Sequence, residues 1–253
     1  MSSSRACLRR THVPSLRAGG NIRLFSGEAA ESARTAFRRA QAVCFDVDST
    51  VIMEEGIDVL ADFKGAGAAV AELTRQAMGG SVLFQDALAA RLNLIQPSRS
   101  DVIRCLEKHP LKLTKGVKQL VEALHARGTH VYLVSGGFRQ MINPVAAELN
   151  IPTHRIFANN LIFNDDAAGS FKGFDDKEPT CRDGGKPAVI KLLKAAHGYS
   201  PIVMIGDGAT DMQAKPPADA FIGFGGVVVR EAVKKGADLF LQDFDELIGL
   251  AKR

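Results

Sequence analysis

The stretch that decides the fold reads Ala42-Val43-Cys44-Phe45-Asp46-Val47-Asp48-Ser49-Thr50, an apolar run that ends at two carboxylates. A short apolar run of this kind is typical of a strand buried on both faces of a parallel sheet. Ligands of open α/β sheets bind beyond the carboxyl ends of the strands, which is where Asp46 and Asp48 fall. Two close carboxylates repel unless a cation or a proton lies between them. We therefore interpret Asp46 as a nucleophile or metal ligand and Asp48 as its acid/base partner; the alternative is an ordinary turn or helix cap.

The composition is that of an ordinary globular protein of 253 residues, with 46% hydrophobic and 24% charged residues. No apolar stretch approaches the roughly 20 residues that a membrane span needs, so no membrane association is expected. The net charge of +4 is concentrated at the N-terminus, because residues 1–40 hold eight Arg and two Glu while the remainder holds 24 basic and 26 acidic side chains. A nucleic-acid-binding surface is therefore not expected either.

The N-terminal segment has the composition of an organellar transit peptide. Residues 1–27 contain five Arg, several Ser and no acid, and Ile22-Arg23-Leu24-Phe25-Ser26 resembles a mitochondrial processing site. A secretory signal would need an apolar core that this segment lacks. We predict the mitochondrion, with the plastid as the alternative and the cytosol if the segment is an uncleaved tail. The four cysteines show no C-x-x-C spacing, which fits a reducing compartment.

Strand-like and helix-like runs alternate from residue 40 onward, which predicts a parallel sheet with helices on both faces. The predicted strands are Ala42–Asp46, His130–Ser135, Ile156–Ala158, Pro201–Gly206, Ala220–Ile222 and Asp238–Leu241, and a small hairpin is expected between Asn160 and Gly185. Helical periodicity dominates the block directly after the first strand, where it would cover the strand ends and exclude water. The predicted domains are a leader at 1–27, an α/β core at 40–54 and 116–253, and a helical cap at 55–115.

Glycines follow the second predicted strand, which runs through Val134 into Ser135-Gly136-Gly137 before a predicted helix at Phe138. Glycine lets backbone N–H groups approach a phosphate closely, and a helix N-terminus favours an anion. The alternative is a simple strand–helix turn.

Two further motifs carry charge at predicted element ends. Lys186 follows Gly184-Gly185 at a helix start, where an ammonium can neutralise both a phosphate and a nucleophile, although an exposed Lys is common there. A strand ending at Gly206 runs into Asp207, which is placed to complete a Mg²⁺ site with Asp46 because Mg²⁺ prefers hard oxygen ligands. Asp211, about one helical turn later, would orient a ligand water or Lys186.

The order of these motifs resembles the haloacid dehalogenase superfamily of phosphatases. Within it, the chain from about residue 40 onward is similar to the phosphoserine phosphatase family. The matching segments include Phe45–Val51, Glu54–Asp58, Arg75–Gly80, Leu88–Leu92, Ile95–Ser98, Ser135–Phe138, Gly206–Met212 and Pro217–Gly226. The resemblance implies an α/β fold, a Rossmann-like parallel sheet core of the haloacid dehalogenase type with a small helical cap inserted after the first strand.

The resemblance also implies a reaction. Asp46 attacks the phosphorus and becomes an aspartyl-phosphate, while Asp48 protonates the serine leaving group and then activates water. Mg²⁺ would be held by the Asp46 side chain, the Asp48 backbone carbonyl and Asp207. The transferring phosphoryl group would be held by Ser135, Gly136, Gly137 and Lys186.

The predicted cap would read the amino acid. By the same resemblance, Glu55 pairs with the substrate ammonium and Arg91 with its carboxylate. Met78, Gly79 and Phe84 would line the pocket, and Thr210 would contact the bound substrate. Without the resemblance, Glu55 fits better as a helix-start acid, Arg91 as a surface cation, and Met78 and Phe84 as core side chains.

The predicted function is Mg²⁺-dependent hydrolysis of O-phospho-L-serine to L-serine and phosphate, the last step of L-serine biosynthesis. The alternatives are a phosphatase for another small phosphomonoester such as phosphoethanolamine, with phosphoryl transfer to other acceptors as a side activity, or a catalytically inactive scaffold on the same fold. Relatives suggest a homodimer, for which the residues themselves indicate no interface.

Overall fold

All six strands predicted from the sequence pair in one parallel sheet. They are β1 Ala42–Phe45, β2 His130–Phe138, β3 Ile156–Asn159, β6 Ile202–Gly206, β7 Ala220–Phe224 and β8 Leu239–Leu241, in the order β3-β2-β1-β6-β7-β8. A separate antiparallel hairpin pairs β4 Leu161–Phe163 with β5 Phe171–Phe174. The direction of winding reverses beside β1, and the carboxyl end of such a strand is where an open α/β sheet forms its crevice. The predicted α/β fold is confirmed.

The computed structural model describes residues 21–77 and 83–252, with side chains over 27–75 and 83–252. The predicted pocket residues Met78 and Gly79, and residues 1–20 of the predicted leader, lie outside the described residues. The helices are α1 Asn21–Arg38, α2 Gly56–Phe63, α3 Gly67–Ala77, α4 Phe84–Ile95, α5 Arg99–Lys108, α6 Val117–Ala126, α7 Arg139–Glu148, α8 Gly185–His197, α9 Ala209–Met212, α10 Glu231–Gly236 and α11 Asp245–Ala251. In the part of the chain so described, no helix combines the length and the hydrophobicity that crossing a bilayer requires.

Strand β1 is buried on both faces, which explains its unbroken apolar sequence. Val43 and Phe45 point into a cluster shared with α1, α6 and α11, whereas Cys44 points into a second cluster shared with α8. The Phe45 ring meets the ring of Phe244 edge to face, with centroids 6.4 Å apart. Burial raises the pKa of the Cys44 thiol, so this cysteine is a neutral core residue. The strand therefore holds Asp46 at the end of a rigid element.

Helices α2 to α5, which we call the helical segment, occupy the chain between β1 and α6. An antiparallel bridge between Ile52 and Leu113 joins the two stretches of chain that lead into and out of the helical segment. The segment has its own apolar cluster, around Leu88 and Leu92, and this cluster includes Phe138 and Met141 at the end of β2 and the start of α7. The helical segment thus packs near the carboxyl end of the sheet.

Two boundaries differ from the sequence prediction. Helix α1 spans Asn21–Arg38, so it extends into residues 21–27 of the segment predicted as a leader. Strand β2 continues through Phe138, with a register shift against β3, whereas the sequence predicted that the strand ends at Ser135 and that a helix begins at Phe138. The Asn159 side chain donates to the Gly136 carbonyl at 2.7 Å, which holds this bulged stretch beside β3.

Gly185, the first residue of α8, has no room for a side chain. A Cβ there would lie 2.3 Å from the Pro179 carbonyl oxygen, which belongs to the backbone and cannot rotate away. We expect Gly185→Ala to lower the free energy of unfolding by about 1–3 kcal/mol, as other overpacked sites do. Gly249→Ala, inside α11 and facing open space, should raise it by up to about 1 kcal/mol through helix propensity. Urea denaturation measures both, and an unchanged midpoint for Gly185→Ala would contradict the packing.

Candidate active site

The strand ends open into one cavity of about 200 Å³. Ten of the residues predicted from the sequence line it: Asp46, Asp48, Glu55, Phe84, Arg91, Gly136, Gly137, Lys186, Asp207 and Thr210. Ser135 and Asp211 are completely buried beside it. The cavity therefore brings together side chains from the core and from the helical segment.

The turn after β1 aims two carboxylates into the cavity. Residues 47–51 form a loop that the Ile52 N–H closes by donating to the Val47 carbonyl at 3.0 Å, and Ser49 within it adopts a left-handed conformation, φ 53°, that few side chains accept. Asp46 Oδ1 accepts a hydrogen bond from the Val47 N–H at 2.7 Å, and Asp48 Oδ1 accepts one from the Gly56 N–H at 2.7 Å. Each carboxylate is thus fixed by backbone before any ligand enters.

A buried ammonium lies against the first of these carboxylates. Lys186 Nζ is 2.9 Å from Asp46 Oδ1 and also donates to Asp211 Oδ1, and only 7% of the lysine side chain is exposed. Burial alone would lower the pKa of Lys186, but Asp211 and Asp46 outweigh it and hold the pKa above its ordinary value. The other oxygen of Asp211 accepts from the Gly208 N–H at 2.8 Å. Lys186 is therefore a fixed positive charge beside Asp46.

Asp48 has the electrostatics of a proton donor. Burial, reinforced by the negative charges of Glu55 and Asp46, raises the pKa of Asp48 to about 8. A carboxyl group that keeps its proton near neutral pH can give it to a leaving group. Gly137 makes room for Asp48, because a Cβ on that glycine would lie 2.9 Å from Asp48 Oδ2.

Carboxylate oxygens of Asp46, Asp207 and Asp211 all lie within 4.8 Å of one another. Asp46 and Asp207 line the cavity itself, whereas Asp211 is completely buried beside it and paired with Lys186. A buried set of hard oxygen donors of this kind suits Mg²⁺. Asp46 and Asp207 are the side chains best placed to hold such a metal.

Two partners of Asp207 were not predicted from the sequence. Arg230 Nε donates to Asp207 Oδ2 at 2.9 Å, and Arg230 Nη2 lies 3.5 Å from Glu55 Oε1. The Thr50 hydroxyl donates to Asp207 Oδ1 at 3.2 Å. Arg230 stands in a loop without a recognisable motif, so only the three-dimensional path of that loop reveals it. Thr50 directly follows the Asp-x-Asp-Ser stretch, where the sequence alone also fitted a helix cap.

One of the two glycines predicted to hold the phosphoryl group has its N–H already engaged. The Gly137 N–H already donates to the Ser135 hydroxyl at 2.9 Å. The aromatic ring of Phe84 closes over the neighbouring glycine, since a Cβ on Gly136 would lie 3.0 Å from that ring. Gly136 therefore presents its backbone, without a side chain, directly beneath Phe84.

The helical segment and the residue before it contribute one acidic and one basic side chain to the cavity wall, Glu55 and Arg91. Burial raises the pKa of Glu55, which accepts a hydrogen bond from the Ser49 hydroxyl at 2.8 Å. Burial lowers the pKa of Arg91, although the nearby acids Asp58 and Glu55 oppose that shift. The Arg91 Nε donates to the Ala87 carbonyl at 3.2 Å, and among the described residues no carboxylate lies within ion-pair distance of this guanidinium.

Comparison with known proteins gives the family. A family model for haloacid dehalogenase-like hydrolases matches residues 40–216. The phosphoserine phosphatase of Mus musculus is 56% identical over 216 residues, covering 85% of this chain and 95% of the mouse protein. The chloroplastic phosphoserine phosphatase of Arabidopsis thaliana is 54% identical over 214 residues, covering 84% of this chain and 72% of the plant protein.

Solved structures agree with this assignment. A phosphoserine phosphatase structure described as a phospho-aspartyl intermediate analogue is 26% identical, with a TM-score of 0.69, and covers 81% of this chain and 94% of its own. The resemblance inferred from the sequence is confirmed by these matches. The chain belongs to the haloacid dehalogenase-like hydrolases and, within them, to the phosphoserine phosphatases.

Proposed function

We propose that this enzyme hydrolyses O-phospho-L-serine to L-serine and phosphate with Asp46 as the nucleophile. The carrying observation is the contact between the Asp46 carboxylate and the buried Lys186 ammonium, 2.9 Å apart, in a cavity that Asp48 also lines. The high identity to mammalian phosphoserine phosphatases supports the same substrate. An inactive scaffold would have no use for a buried, strongly charged arrangement of this kind.

Asp46 is prepared for attack on phosphorus. The Val47 N–H and Lys186 both hold Oδ1, which leaves Oδ2 free to form the new bond to phosphorus. As that bond forms, the bond from phosphorus to the serine oxygen breaks, and the product is an aspartyl-phosphate. The ammonium of Lys186 stabilises negative charge on the transferring phosphoryl group.

Asp48 moves protons in both halves of the reaction. Its raised pKa lets it donate a proton to the departing serine oxygen in the first half. As a carboxylate it then accepts a proton from water, whose oxygen attacks phosphorus and releases Asp46. The solved intermediate analogue of a related phosphoserine phosphatase supports this two-step course.

A divalent metal completes the charge of the site. The three clustered carboxylates of Asp46, Asp207 and Asp211 contact two cations, Lys186 and Arg230, so negative charge is left at this end of the cavity before a phosphate dianion enters. We propose that Mg²⁺ is held by the side chains of Asp46 and Asp207 and the Asp48 backbone carbonyl. When bound, it supplies the positive charge that polarises the phosphoryl oxygens.

The helical segment selects the amino acid. Glu55 would pair with the substrate ammonium and Arg91 with the substrate carboxylate, which a planar guanidinium fork binds well; both side chains line the cavity, which supports these roles. Thr210 and Phe84 line the same cavity. The roles of Met78 and Gly79 stay predictions from the sequence.

An organellar location is part of the proposal. The arginine-rich, acid-free N-terminus supports a targeting leader, and the Arabidopsis relative is chloroplastic. The mitochondrion and the homodimer stay predictions, as does the place of the reaction at the end of L-serine synthesis.

Removing the Arg91 guanidinium tests substrate recognition. We expect Arg91→Ala to raise KM for phosphoserine by about 10- to 100-fold, the magnitude of a charge-assisted hydrogen bond, and to leave KM for phosphoethanolamine unchanged because that ester has no carboxylate. Arg104→Ala, which removes an exposed arginine of the same helical segment, is the matched control and should change neither constant. Steady-state phosphate release measures all four values. Equal losses on both esters, or a wild-type enzyme without preference for phosphoserine, would refute this reading.

Metal binding has a readout that does not require turnover. Mg²⁺ should raise the unfolding temperature of chelator-treated enzyme by about 5–10 °C at a hundredfold excess over Kd, because it binds the folded carboxylate cluster. Asp207→Asn should lose most of that shift, whereas Asp165→Asn, on the exposed hairpin turn, should keep it. Differential scanning calorimetry measures the shift, and an equal response of all three proteins to Mg²⁺ would count against the site.

A further inference from the structure

The first turn of α4 is capped by a side chain from a distant part of the chain. Helix α4 begins after Leu83, an apolar residue that gives no side-chain cap. The carboxylate of Asp183 accepts a hydrogen bond from the Phe84 N–H instead, with Oδ2 at 3.2 Å. The first N–H groups of a helix lack partners within the helix, and the helix dipole favours a negative charge there. Asp183 is an exposed residue of the loop before α8, in the α/β core, and it therefore caps a helix of the helical segment.

The face of α4 that this contact controls is the one that faces the cavity. Phe84, Leu88 and Arg91 follow one another at intervals of four and three residues, so they share one side of the helix, and all three line the cavity. A change at the first turn of α4 is therefore passed along a rigid helix to the Arg91 guanidinium.

The loop that carries Asp183 also carries the phosphoryl-binding lysine. Asp183 precedes Lys186 by three residues, with two glycines between them. Gly184 is left-handed at φ 71°, and Gly185 packs against the Pro179 carbonyl. Asp183 and Lys186 are therefore joined by a short segment that packs closely against the core.

We propose that Asp183 is a positioning residue that sets the spacing between Lys186 and Arg91. This spacing selects an ester by the distance between its phosphoryl group and its carboxylate. The proposal rests on the proposed function, in which Lys186 holds the phosphoryl group and Arg91 the carboxylate. Asp183 also lines the cavity, but in this proposal it acts on the substrate through its contact with α4.

Steady-state kinetics on two esters test this role. We expect Asp183→Ala to raise KM for phosphoserine about fivefold, the size of a typical capping contact, with kcat and the KM for phosphoethanolamine little changed. Asp183→Asn should stay close to the wild-type enzyme, because an Asn side chain caps a helix about as well as Asp. Asp86→Ala removes the same charge from the first turn of α4 at an exposed position without a hydrogen bond to the core among the described residues, and it should leave KM unchanged.

Other outcomes separate this idea from its rivals. If both Asp183 variants lower KM for both esters, the residue acts only by repelling the phosphate dianion, and the positioning role is wrong. If Asp183→Ala raises KM for both esters equally, or changes only the urea midpoint, its role is structural and the proposal is overturned. A wild-type preference for phosphoserine that Asp183→Ala leaves intact defeats this proposal alone, whereas a wild-type enzyme without that preference defeats the proposed function together with it.

Discussion

The buried ammonium of Lys186 is the interaction on which the site depends. Asp46, Asp207 and Asp211 place carboxylate oxygens within 4.8 Å of one another, and their charges would repel if no cation stood among them. Lys186 pairs with Asp46 and Asp211 together, at the cost of leaving water. Removing one partner of such a buried pair leaves the other charge uncompensated. The loop and the glycines that start α8 hold Lys186 in position, so they are as necessary to the site as the acids themselves.

Short connections join the core to the helical segment, whose residues form one wall of the cavity. Asp48 holds the start of α2 through the Gly56 N–H, Ser49 holds Glu55, and Asp183 holds the start of α4. Each contact begins in a loop that also carries or adjoins a residue of the phosphoryl-transfer chemistry. Chemistry and recognition are therefore coupled through backbone geometry, which makes the position of the helical segment part of the active site.

The sequence predicted what local chemistry determines. The apolar run before Asp46 predicted a strand buried on both faces, and the glycines before Lys186 predicted a helix start, because both signals lie within a few neighbouring residues. Arg230 and Asp183 were beyond reach, since their contacts join residues 23 and 99 positions apart and depend on how loops pass one another. The two glycines after Ser135 suggested a turn, but the bond from Asn159 to the Gly136 carbonyl keeps that stretch in the strand.

The central claim is that a carboxylate oxygen of Asp46 forms the new bond to phosphorus. Chemical trapping of the aspartyl-phosphate tests this claim most directly. Asp48→Asn enzyme, mixed with p-nitrophenyl phosphate and Mg²⁺ and quenched in acid, should be digested and analysed by mass spectrometry. The nitrophenolate leaving group needs no proton, so loss of the Asp48 carboxyl slows mainly the second half of the reaction, by about 10²–10⁴-fold. The account therefore predicts a phosphoryl group on the peptide that contains Asp46, absent in the Asp46→Asn, Asp48→Asn double variant. A phosphoryl group on any other residue, or release of nitrophenolate with none on the enzyme, would contradict it.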